Sequence, residues 1–149
     1  MKIAIGADHA GFEYKNAIVE YLTQKGHVLD DFGTNTSESV DYPDYAFSVA
    51  EAVRYGDAEA GILICGTGIG VSIAANKVKG IRAANCCSAE MAKLAREHNN
   101  ANIVTFGARL IDIETAKAIV DAFLWSEFKG GRHQKRIEKM SRKETGEEE

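Results

Sequence analysis

Apolar residues follow two alternating rhythms along this chain. Short runs rich in branched residues read as strands buried on both faces, and segments with apolar residues three or four apart read as helices packed by one side. Lys2 to Ala7 (KIAIGA) is the first strand. Phe12 to Lys25 is helical, with Phe12, Ala17, Ile18, Tyr21 and Leu22 near helical period, and Gly26 stops it. His27 to Phe32 (HVLDDF) is a second strand, placed at an edge by its two aspartates. Gly33 to Asp41 is a polar loop, and Pro43 opens a helix that runs to about Tyr55.

Ala60 to Cys65 (AGILIC) is the central strand, and a helix over Val71 to Val78 follows it. Gly80 to Cys86 makes a fourth strand. Ser88 caps the next helix, with Met91, Leu94 and Ala95 on its inner face. Three asparagines between His98 and Asn102 predict a turn, and Ile103 to Phe106 is the fifth strand. Asp112 precedes an amphipathic helix with Ile113, Ala116, Ile119, Val120 and Phe123. Gly130-Gly131 breaks the chain before a basic last helix, Arg132 to about Lys143, whose apolar residues are only Ile137 and Met140. Alternation with short connections predicts an α/β fold, a Rossmann-like three-layer α/β/α sandwich with a five-stranded parallel sheet. Residues 1–149 form a single domain in this reading, with 144–149 as a frayed tail. The basic helix, with so little apolar surface, is expected to pack on another subunit or close over a ligand.

The pattern changes character after the central strand. Cys65 is followed by Gly66-Thr67-Gly68-Ile69-Gly70 and then a helix, an arrangement that gathers backbone N–H groups around an anion. The sixth residue from Gly66 is Val71, which excludes the dinucleotide fingerprint. Val71 and Ser72 stand where a P-loop would carry lysine and serine or threonine. Cys65 therefore stands at the mouth of an oxyanion-binding loop, where loop amides and a helix end favour a thiolate. The competing reading is an inert buried cysteine above a tightly packed turn.

Composition narrows the class. The chain has 149 residues, 45% of them hydrophobic, and a net charge of −4 from 18 basic and 22 acidic side chains. Those values suit one globular unit and do not suggest a nucleic-acid binder or a disordered chain. No apolar stretch reaches membrane-spanning length. Three cysteines without a CxxC pair point to a reducing, cytoplasmic compartment, with Cys86 and Cys87 as core fillers.

Asp8 and His9 directly follow the first strand, on the glycine loop's sheet edge if the strands are parallel. A carboxylate there can exchange protons with hydroxyls, and an imidazole can bind phosphate or act as acid or base. The bland alternative is an Asx turn beside a solvated histidine. His98 and Asn99 precede the fifth strand and so fall at the opposite edge, where a symmetric partner could bring them over the site. Arg109, Arg132 and Arg136 are phosphate candidates. Arg132 and Arg136, four apart, share a helix face, although a solvated basic helix would look the same. No cluster supplies three metal ligands.

Asp8-His9-Ala10-Gly11, Ser39 to Tyr45 (SVDYPDY), Cys65 to Gly70 (CGTGIG), His98 to Asn102 (HNNAN) and Gly130-Gly131-Arg132-His133 together strongly resemble the B-type ribose-5-phosphate isomerases. The wider family includes galactose-6-phosphate isomerase subunits, and the match runs to about Met140. The resemblance implies an aldose–ketose isomerase of the pentose phosphate pathway. It implies a homodimer or tetramer, with sites built from two subunits and neither metal nor cofactor.

In such an enzyme His98 opens the furanose ring and Cys65 moves the proton between C2 and C1 through a cis-enediol(ate). Asp8 moves the proton between O1 and O2, while Thr67 and the amides of Gly66, Gly68, Ile69 and Gly70 stabilise charge on oxygen. Asn99 and Tyr42 orient hydroxyls or the His98 ring, and His9, Arg109, Arg132 and Arg136 hold the phosphate. A second branch of the family draws its base from a carboxylate in the glycine loop. Here that loop has no acidic residue, which leaves Cys65. The alternatives are a six-carbon sugar phosphate such as allose 6-phosphate, a free aldose, or a non-catalytic sugar-phosphate-binding protein.

Overall fold

Strand and helix alternate through the computed structural model of the chain, which describes residues 1–147. Branched and small residues form five strands: β1 (Lys2–Ala7), β2 (Val28–Asp31), β3 (Ala60–Cys65), β4 (Ala83–Asn85) and β5 (Ile103–Gly107). They make one sheet in the order β2-β1-β3-β5-β4, with every neighbouring pair parallel. The helices are α1 (Phe12–Gln24), α2 (Tyr42–Arg54), α3 (Ile69–Ala75), α4 (Ala89–Asn99), α5 (Ile113–Trp125) and α6 (Arg132–Thr145).

Strand alternation sends Ile3, Ile5, Ile62, Ile64, Val104 and Phe106 to one face, under α1, α4 and α5. Ala4, Leu63, Cys65 and Ile103 go to the other, under α2 and α3. From β1 the chain steps outward to β2, then returns past β1 to β3, so the order reverses between β1 and β3. In a parallel sheet that reversal opens a crevice at the carboxyl ends of the two strands. The crevice fixes where the loops after β1 and β3 meet.

Several local expectations shift. The third helix begins at Ile69 rather than Val71, because Gly68 already serves as its N-cap at φ 81°. It ends before Asn76, whose side chain bonds both backbone groups of Ala83. The fourth strand shrinks to Ala83–Asn85, since the Arg82 N–H donates to Asn102 Oδ1 instead of a ladder partner. On α4 the buried residues are Ala92 and Ala95, while Met91 and Leu94 are exposed. Alanines let that helix sit close to its neighbours and turn the longer side chains outward.

His98 and Asn99 lie in the last turn of α4, not in a separate turn. Only Asn100 is left-handed, at φ 47°, and the Arg82 guanidinium takes the carbonyls of Asn99 and Asn100. Cys86 is buried as a core filler, but Cys87 is exposed. Burial, and then the adjacent Cys87, pushes the Cys86 thiol up to about 11. Within the stretch expected to fray, Glu144 and Thr145 are helical, Gly146 caps α6 at φ 81°, and the Glu147 N–H donates to the Arg142 carbonyl. Residues 148–149 lie outside the described residues.

Candidate active site

Loops from β1, β3 and β5 interlock at the carboxyl edge. Ala7 pairs with Ile64 in register, and the Asp8 N–H donates to the Ile64 carbonyl at 3.2 Å, which sets Asp8 beside Cys65. Asp8 is buried, and its Oδ1 accepts from Ala10 N at 2.9 Å and Gly11 N at 3.2 Å. The Asx turn is therefore real and aims the loop. His9 is not merely solvated, for its Nδ1 accepts from Val40 N at 3.2 Å.

Cys65 is 5% exposed, and its Sγ accepts from the Gly68 N–H at 3.1 Å. An N–H aimed at sulfur stabilises negative charge there, as does the N-terminal end of α3. Thr67 is exposed, and its Oγ1 accepts from Ile69 N at 3.2 Å. The loop is laid on the end of β5: a Cβ on Gly107 would lie 2.5 Å from Thr67 Cα, and one on Gly68 2.7 Å from the Phe106 carbonyl carbon. Ala108 N donates to Cys65 O at 2.9 Å and Arg109 N to Gly66 O at 3.0 Å. That turn folds the Arg109 side chain over Gly66, where a Cβ would lie 3.1 Å from Nη1. The Tyr42 ring closes the other side, 2.7 Å from the corresponding point on Gly70.

The remaining candidates gather elsewhere. The carboxyl end of α4 lies at the amino edge of the sheet, because the chain passes from it directly into β5. The α6 end docks there through Lys129, whose N–H donates to the Glu97 carbonyl and whose Nζ pairs with Glu97 Oε1 at 3.1 Å. The His98 and His133 rings then stack, with centroids 4.3 Å apart and planes 13° apart. Arg132 and Arg136 lie on the same first turns of α6. Desolvation, then the charges of His98, Arg132, Arg136 and Lys129, lowers His133 below its ordinary value.

The chain thus joins Asp8, His9, Tyr42, Cys65 to Gly70 and Arg109 at one edge, and His98, Asn99, Arg132 and Arg136 at the other. Arg109 parts company with the other two arginines, which the sequence had grouped. Two further residues join these groups. His133 lies in the Gly130 to His133 run, and only the fold brings its ring onto His98. Thr105, read as strand interior, donates from Oγ1 to the Gly68 carbonyl at 2.9 Å and supports the loop from below. No group of three or more His, Cys, Asp or Glu residues among those described could hold a metal ion, and no described helix is long and apolar enough to cross a membrane.

A parallel sheet with a thiol in an amide-lined loop at its switch point, together with cationic groups suited to phosphate, defines a class of small-molecule enzyme acting on anionic substrates. Residues 3–140 match the family model described as Ribose/Galactose Isomerase. The chain is 51% identical over 140 residues to ribose-5-phosphate isomerase B of Escherichia coli (strain K12), covering 94% of each chain. It is 48% identical over 141 residues to D-erythrulose-4-phosphate isomerase of Pectobacterium atrosepticum, covering 94% of this chain and 93% of that one. The crystal structure of ribose-5-phosphate isomerase B from Mycoplasma genitalium with bound ribulose-5-phosphate superposes with a TM-score of 0.93 at 46% identity, covering 97% and 96% of the two chains. This chain belongs to the ribose/galactose isomerase family of aldose–ketose isomerases.

Proposed function

We propose that the protein interconverts D-ribose 5-phosphate and D-ribulose 5-phosphate without metal, through a cis-enediol(ate), with Cys65 as the base. The observation that carries this reading is the Cys65 thiol receiving the Gly68 N–H beside the Asp8–His9 turn. It is supported by the Escherichia coli relative and by the ribulose-5-phosphate held by the Mycoplasma genitalium protein.

The cycle begins with furanose ring opening by His98 of a second subunit. Cys65 takes the C2 proton of the open aldose and returns it to C1. Asp8 Oδ1 is committed to the turn, so Oδ2 shifts the proton between O1 and O2. Thr67 accepts at Oγ1 and keeps its hydroxyl proton for the enediolate oxygen. Preorganised donors of this kind contribute about 3 kcal/mol each. Tyr42 and Asn99 orient the sugar, and His9, Arg109, Arg132 and Arg136 bind the phosphate, remote from the reacting carbons.

Both edges serve one site if two chains pair by a twofold axis, each lending its amino-edge cluster to the other's thiol loop. The test is a coupled assay of aldose-to-ketose conversion with four-, five- and six-carbon sugar phosphates, with and without chelator. Turnover greatest with ribose 5-phosphate and insensitive to chelator is expected. Preference for another chain length, or activity lost to chelator and restored by one divalent ion, would overturn the substrate or the mechanism respectively.

A further inference from the structure

On α1, the buried stripe that carries Ile18 and Leu22 opens with Lys15, whose side chain is fully buried. An apolar residue would suit that helical position, and a buried ammonium is costly unless paired and hydrogen-bonded. Here all three of its protons are taken: by Asp31 Oδ2 at 2.6 Å, Asn35 Oδ1 at 2.7 Å and Asn16 Oδ1 at 3.0 Å. The other Asp31 oxygen accepts from the Gly33 N–H at 2.8 Å. One ammonium therefore ties α1 to the end of β2 and to the start of the segment over residues 33–41.

That segment runs across the mouth of β1. Near its start, Thr34 N donates to Ala7 O at 2.8 Å, and Ala7 N donates back to Gly33 O. Lys15 then grips Asn35. At its far end, the Val40 N–H donates to His9 Nδ1, one residue before the Asp41 cap of α2. A nitrogen that accepts an N–H carries no proton, so the neutral His9 ring holds its proton on Nε2 and presents a single donor there. The amide that selects this tautomer sits on a segment whose other end is anchored by the buried lysine.

We propose that Lys15 is a positioning residue: through Asp31 and Asn35 it fixes the 33–41 segment so that the Val40 amide holds His9 with Nε2–H directed at the substrate phosphate. The placement of His9 rests on the proposed function, but its tautomer does not. Lysine reaches three acceptors on three elements at once, which no apolar residue of that length can do. The device lies outside the reacting groups and acts on binding of the anionic end, so KM is its kinetic signature.

The experiment compares wild type, Lys15→Met and Asn35→Ala by 15N imidazole NMR, with His9 assigned by its loss in His9→Gln. Wild type should show the Nε2–H tautomer alone, and both variants a mixture. KM for ribose 5-phosphate should rise at least threefold with kcat within twofold, and Lys15→Met should add nothing in a His9→Ala background. A general loss of stability would not mix the His9 tautomers of the folded protein or cancel when His9 is absent. A single Nε2–H tautomer in both variants, or a full additional rise in KM on top of His9→Ala, overturns the proposal. If Lys15→Met does not fold, Asn35→Ala, an exposed position that leaves the Lys15–Asp31 pair intact, gives the same two readings. Failure of wild type to turn over ribose 5-phosphate would count against the substrate alone, since the tautomer is measured without substrate.

Discussion

The two edges of the sheet hold their polar groups by opposite means. At the carboxyl edge the backbone does the holding: Gly68 N–H on Cys65, Asp8 bracing its own turn, Arg109 N on Gly66 O. At the amino edge side chains do the holding, with His98 stacked on His133 and the Arg82 guanidinium on the backbone carbonyls that end α4. Backbone donors cannot turn away, so the first edge suits a step in which charge develops at a fixed point. Arginines on an exposed helix suit capture of a substrate's charged end. A strand of six residues separates the edges by roughly 20 Å. A five-carbon sugar phosphate is far too short to span them within one chain.

The sharpest way to separate the edges is to remove the thiol. Cys65→Ala should leave the fold and phosphate binding intact and lower kcat at least about 100-fold, because general acid–base catalysis contributes that much or more. Retention of more than a tenth of kcat would remove Cys65 as base.

Arginine loss at the amino edge should act on binding instead. Arg132→Ala or Arg136→Ala is expected to raise KM about tenfold or more, from a charge-assisted hydrogen bond of about 1.5–3 kcal/mol, with kcat changed much less. Steady-state kinetics decide it, and a fall confined to kcat would place these arginines at the chemistry.

Mixing the two edges tests whether they cooperate across subunits. Cys65→Ala and His98→Asn, co-refolded, should recover about a quarter of wild-type activity. Half of the random dimers are mixed, and half of their sites are intact. Heterodimers detected by mass that stay as inactive as either parent would return His98 to its own chain.

The smallest effect is electrostatic. His133 is lowered from its ordinary value near 6.5 by desolvation and by the surrounding cations, so in the free protein its ring is neutral at pH 7. The unfolded chain takes up that proton first as pH falls, so acidification through 6.5 works slightly against the folded arrangement. A bound phosphate dianion should reverse the shift. NMR titration with inorganic phosphate should move the His133 midpoint upward, and an unmoved midpoint would place the anion elsewhere.

Sequence periodicity alone determined that five strands alternate with helices and that Cys65 ends the central one, because both follow from local spacing. The candidates at each edge were legible for the same reason: parallel strands send their exit loops to one side and their entry turns to the other. Which side of a helix faces inward was not local. Met91 and Leu94 share the apolar character of the core, yet alanines on the neighbouring face let α4 sit closer and won the interior. Lys15 was unreadable as a core residue, since only the fold brings Asp31 and Asn35 to its ammonium from 16 and 20 residues away. The His98–His133 stack likewise exists only because the turn at Lys129 docks on Glu97. Local spacing determines which residues form strand, helix or loop, whereas the partners of a charge are set by which elements come to pack against it.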